Sequence, residues 1–90
     1  MVADLSAIAE GDDAAVAADV ARVRAAVPHA VLKVILESAL WNGAQLRGAV
    51  EAAISGGADF VKTSTGFHPG GGASVEAVAL MVQTAAVAAW

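Results

Sequence analysis

Four valines, Val16, Val20, Val23 and Val27, recur at spacings of four, three and four, which aligns them on one face of a helix. Gly11-Asp12-Asp13 supplies a turn and capping carboxylates, so the spacing predicts a helix from about Ala14 to Val27. Arg22 and Arg24 sit off the stripe, and Pro28, with no backbone donor, ends the helix. Leu46, Val50 and Ile54 mark a second helix, with Asn42 and Gln45 at capping-box spacing before it and Gly56-Gly57 as its stop. Ser74 reads as the N-cap of a last helix whose buried side carries Val75, Val78, Val82 and Ala85.

Between these helices the period shortens. Ala30 to Glu37 is β-branched and almost continuously apolar, the pattern of a strand covered on both faces in a parallel sheet. Phe60 to Ser64 reads as another strand, Met1 to Leu5 as a short apolar run, and Phe67 to Ala73 as a glycine-rich loop. Strands alternating with helices at this repeat length predict an α/β fold with right-handed crossovers. Periodicity leaves two closures open, a doubly wound sheet and an arc of a (β/α)8 barrel. Three strands would leave both edges of such a sheet bare, so the chain reads as part of something larger.

With 58% hydrophobic and 16% charged residues, residues 1–90 make one small domain rather than a disordered segment. Much of the apolar content is alanine, 24 residues of 90, a helix former more than a membrane anchor. The apolar stretch Ala77 to Trp90 is 14 residues, short of the roughly 20 that span a bilayer, so no membrane partner is expected. The net charge is −4 and the five basic residues are scattered, which argues against nucleic acid. No cysteine and no paired histidines leave a metal site without ligands. No basic segment leads an apolar core at the N-terminus, so no secretory signal is read and a cytoplasmic setting is expected.

Side chains alternate across a strand, which groups Phe60, Lys62 and Ser64 on one face and Lys33, Ile35 and Glu37 on one face of the earlier strand. Burying a lysine disfavours its charge, and a neutral lysine amine is a nucleophile. Were both lysines to point inward on neighbouring strands, their repulsion would act in the same direction, with Glu37 as an offset. The competing reading is an ordinary lysine that snorkels to solvent or pairs with a carboxylate. After Lys62 come Thr63, Ser64, Thr65 and Gly66, then a loop where parallel α/β proteins bind ligands. The loop matches neither the P-loop nor the dinucleotide fingerprint, and a flexible connector is its alternative. His68 reads as an exposed loop residue, and Trp41 and Trp90 as packing or edge residues.

Gly57-Ala58-Asp59-Phe60-Val61-Lys62-Thr63-Ser64-Thr65-Gly66 resembles the strand bearing the Schiff-base lysine of deoxyribose-phosphate aldolases. Leu32-Lys33-Val34-Ile35-Leu36-Glu37 resembles the strand before it, and the Asn42 cap, the Gly-Gly stop and the Pro69-Gly70-Gly71-Gly72-Ala73-Ser74 segment also fit. The resemblance implies a partial TIM barrel of about three strand-helix units, from the end of the fourth strand through the sixth helix. It implies Lys62 as the nucleophile, Lys33 and Ser64 lining the site, and Thr65 and Gly66 contributing to substrate or phosphate binding. The implied reaction is reversible cleavage of 2-deoxyribose 5-phosphate to acetaldehyde and glyceraldehyde 3-phosphate, in deoxyribonucleoside catabolism, with no metal or organic cofactor.

The resemblance also marks departures. An aspartate that assists proton transfer would precede the position of Met1, Asp4 is not that residue, and a second active-site lysine would follow Trp90. Some relatives carry a lysine where Phe67 stands. The expectation is therefore a fragment with little activity alone, partnered by the missing barrel segments or by a second copy. The alternatives are another Schiff-base lyase of the same barrel and a non-catalytic remnant that associates with a partner.

Overall fold

The computed structural model describes residues 1–67 and 69–89, the last three through their backbone, so His68 and Trp90 lie outside the described residues. Caps set the helix boundaries. Helix α1 (Leu5–Ala9), not foreseen in the sequence, starts where the Asp4 carboxylate accepts the Ala7 N–H at 3.1 Å. Asp12 does the same for Ala15 and opens α2 (Asp13–Ala26) one residue earlier than expected. Val16 and Val20 are fully buried, whereas Val27 serves as the C-cap and is exposed rather than part of the stripe.

Lys33–Ile35 forms β1, and a short 3-10 turn follows at Ser38–Leu40. Asn42 and Gln45 exchange both bonds of the expected capping box and open α3 (Gly43–Gly56), which Gly57 closes at φ 107°. Phe60–Lys62 forms β2, and Ser74 accepts the Ala77 N–H at the start of α4 (Val75–Ala89). No helix among the described residues is long and apolar enough to cross a membrane.

The strands β1 and β2 pair in parallel, with Lys33 opposite Phe60, Val34 opposite Val61 and Ile35 opposite Lys62. Val2 bridges Ile35 on the other side, also in parallel, through Ile35 N–H to Met1 O at 2.8 Å and Ala3 N–H to Ile35 O at 2.9 Å. Neighbours in the sheet are therefore neighbours in sequence, each reached through helices, which is the order of a barrel arc. Both strands are shorter than the apolar runs that predicted them, because Glu37 leaves the extended region (φ 53°, ψ 59°) and turns the chain out of the sheet.

The expected double coverage is replaced by one covered face. Leu32, Val34 and Leu36 are buried toward the helices with Ile8, Val16, Val20, Leu46 and Val50, while Lys33, Phe60 and Lys62 face outward and are exposed. Helices α2 and α3 meet closely at Gly56, where a Cβ would lie 2.7 Å from the Ala17 carbonyl oxygen and from the Val20 Cβ.

Helix α4 forms as predicted but buries a different face. Met81 and Thr84 are buried, with Ala77, Leu80 and, of the four expected residues, Ala85 packed on the core, whereas Val75, Val78 and Val82 are exposed. Contact with α3 selects that face. Val78 and Val82, with Phe60, Val61, Met81 and Ala85, instead line an open apolar groove between β2 and α4.

Candidate active site

Lys62 is the last residue of β2, and Lys33 is the first of β1. The parallel register puts both on the sheet face turned away from the helices, as the alternation required. They are diagonal neighbours, and a strand spacing of about 4.8 Å with a two-residue rise of about 6.6 Å separates their Cα atoms by roughly 8 Å. Both are exposed. The burial expected of these strand lysines is thus not furnished by the described residues, since only one layer of helices covers the sheet.

The end of β2 is held by its neighbour. Leu36 N–H donates to Lys62 O at 2.9 Å and Ser38 N–H donates to Thr63 O at 2.8 Å. Successive carbonyls of a regular strand point to opposite sides, so the capture of both by one neighbour ends the strand directly after Lys62. Between the two donors stands Glu37, 4% exposed. Its Oε1 accepts the Thr65 N–H at 2.8 Å and its Oε2 accepts the Thr65 hydroxyl at 2.9 Å. Thr65 Oγ1 in turn accepts the Phe67 N–H at 3.1 Å.

These bonds define what each expected site residue can do. A carboxylate only accepts, so Thr65 spends both its donors on Glu37 and can meet a ligand as an acceptor. Ser64 donates to Thr63 Oγ1 at 3.0 Å, and a Cβ on Gly72 would lie 3.7 Å from Ser64 Oγ, so the glycine loop folds back over that hydroxyl. Gly66 turns at φ 87° with open space beside it. Phe67, at 92% exposure, projects into solvent next to this turn. Asp4 is an N-cap.

At the other end of β2, Asp59 accepts the Leu32 N–H at 2.8 Å and is paired with Arg24. Leu32 first and Arg24 second hold the Asp59 carboxyl below the usual carboxylate range. Arg24 also donates to Gly57 O at 2.9 Å and Ala30 O at 2.7 Å, which ties α2 to both strand entries. Sequence reasoning left Arg24 off its helix stripe and gave Glu37 only a charge-balancing role. An arginine in the last helical turn before Pro28, and a glutamate ending an apolar run, were the available signals.

Three short parallel segments, backed by helices and carrying lysines at staggered heights on the open face, define an arc of a parallel β/α barrel with a candidate amine site at the strand ends. A deoxyribose-phosphate aldolase of Corynebacterium jeikeium is 58% identical over 82 residues, covering 90% of this chain and 33% of its own length. One from Kocuria rhizophila is 58% identical over 85 residues, covering 93% of this chain and 39% of its own. A solved structure assigned as a deoxyribose-phosphate aldolase from Coccidioides immitis superposes with a TM-score of 0.91 at 37% identity, over 97% of this chain and 34% of that one. The aldolase QR15 superposes with a TM-score of 0.86 at 38% identity, over 97% and 39%.

No family model matches the chain. The fold is a partial (β/α)8 barrel, one of the two closures the sequence pattern left open and the one the resemblance had implied. The chain is similar to deoxyribose-phosphate aldolases over nearly its whole length and spans about a third of the length of the curated relatives it matches.

Proposed function

We propose that Lys62 is the Schiff-base lysine of a class I aldolase that cleaves 2-deoxyribose 5-phosphate reversibly to acetaldehyde and glyceraldehyde 3-phosphate, and that residues 1–90 are one arc of its barrel domain. The observation that carries this reading is the place of Lys62. It ends a barrel strand on the open face, beside Lys33, within a Lys-Thr-Ser-Thr-Gly segment held by the preceding strand. Active sites of such barrels gather at the carboxyl ends of the strands.

The neutral amine adds to the substrate aldehyde and water leaves, giving an iminium. The iminium draws electrons from the carbon–carbon bond that breaks as the hydroxyl on the departing carbon gives its proton to water, releasing glyceraldehyde 3-phosphate and leaving an enamine. Protonation of the enamine and hydrolysis return the free lysine and acetaldehyde. Lys33 supplies positive charge on the same face, Ser64 lines the site, and Thr65 and Gly66 shape the turn that would receive the phosphosugar. The phosphosugar is the proposed small-molecule partner, in the cytoplasm and in carbohydrate catabolism. The bare edge of β2 and the apolar groove beside it support association with further barrel segments or a second copy.

Acetaldehyde with borohydride, followed by mass mapping, is expected to label Lys62 in preference to Lys33. Equal labelling of the two, or none at Lys62, would count against the reading. Because Lys62 is exposed, turnover of deoxyribose phosphate by the 90-residue chain is expected to be negligible. Turnover abolished by Lys62→Ala would overturn that expectation.

A further inference from the structure

Glu37 is the one described non-glycine residue with positive φ, and it sits buried between the two donors that end β2. A left-handed β-carbon costs about 1–3 kcal/mol and persists where the surroundings over-determine it, commonly at functional sites. Here three attachments do so: Leu36 on Lys62 O, Ser38 on Thr63 O, and the Glu37 carboxylate on both donors of Thr65. A neutral side chain could tie two strand ends together at a lower desolvation cost. A carboxylate does something more specific: it forces the Thr65 hydroxyl to donate, and so fixes that hydroxyl's orientation beside the Phe67 N–H.

We propose that Glu37 is a positioning residue for Lys62: its left-handed backbone and its carboxylate together set where β2 ends and where the Lys62 amine stands relative to the Thr63–Gly66 turn. The inference rests on Lys62 being the Schiff-base lysine. It predicts that reactivity at Lys62, and not folding alone, depends on the bond between Glu37 and Thr65.

The test is reductive trapping of the full chain with acetaldehyde, scored as the ratio of Lys62 to Lys33 adducts across a pH series. Each sample is held below its melting temperature as followed by circular dichroism. Glu37→Ala and Thr65→Val are each expected to lower the ratio about tenfold, the scale on which a misplaced reacting group loses rate. The double variant is expected to match Glu37→Ala, because that change already removes both bonds to Thr65, including the hydroxyl bond that Thr65→Val removes. Glu37→Gln keeps an acceptor for the N–H but presents an amide donor to the hydroxyl, and is expected to fall between the parent and Glu37→Ala.

An unchanged ratio in folded Glu37→Ala and Thr65→Val overturns the positioning role even where both melt earlier. Should Glu37→Ala fail to fold, Thr65→Val, which leaves the buried carboxylate and the left-handed turn in place, decides alone. A parent chain with no preference for Lys62 over Lys33 would instead remove the Schiff-base reading itself, and the positioning role with it.

Discussion

At its amino end β2 is preceded by Asp59, whose carboxylate takes the Leu32 N–H and pairs with Arg24, itself bonded to the Gly57 and Ala30 carbonyls. Three residues on, Lys62 ends the strand with an exposed side chain, and the carboxylate nearby, Glu37, binds Thr65. Each end has one acid, but the charges are used differently. Arginine and aspartate satisfy each other and several backbone groups, so the amino end is a staple. At the carboxyl end the acid holds the Thr65 turn instead and the lysine is exposed, a contrast that falls along the stability and ligand ends of a barrel.

Arg24→Ala makes the largest break in this contrast. It should lower stability by about 1 kcal/mol in denaturant titration, since the carboxylate and carbonyls it frees are largely solvated and regain water. The Lys62 to Lys33 labelling ratio of the still-folded protein should not move. A parallel fall in that ratio would show that the two ends are coupled.

A pH series on Asp59→Asn sharpens the same point. A carboxyl lowered in the folded state contributes stability that is complete above its unfolded value of about 4 and is lost as the pH falls through the lowered folded value. The stability gap between parent and Asp59→Asn should thus hold steady near neutrality and narrow below about pH 4. A gap that stays constant into acid would remove the charge from the staple. Ser64→Ala should have the smallest effect, within about 0.5 kcal/mol in thermal melting, because Ser64 donates only to its neighbour Thr63 in a half-buried position.

Much of the fold was legible because its signals are local. The capping box at Asn42 and Gln45, the left-handed stop at Gly57 and the cap at Ser74 each act within one helical turn, and each stands where the spacing put it. Period-two alternation correctly set Lys33 and Lys62 on one face once the register was parallel. Helix α1 escaped notice because five residues carry too little periodicity, although Asp4 was a capping residue in plain view. The valine stripe of α4 is apolar in the sequence and exposed in the fold, since which face is buried depends on the neighbour and α3 takes the face of Met81 and Thr84. Gly56 read only as part of a stop, yet it is where α2 and α3 come closest.

The candidate site divides in the same way. By itself the sequence determined the caps of α2, α3 and α4, the α/β alternation and the motif around Lys62 that resembles the aldolases, because these depend on residue type and short-range spacing. Tertiary structure alone decided that Glu37 leaves the strand to hold Thr65, 28 positions away, and that Arg24 reaches Asp59 across 35. It also decided that the lysine face stays open to water. Bonds that span such separations form only after the strands have paired, and propensity and period, which act over a few residues, hold no record of them.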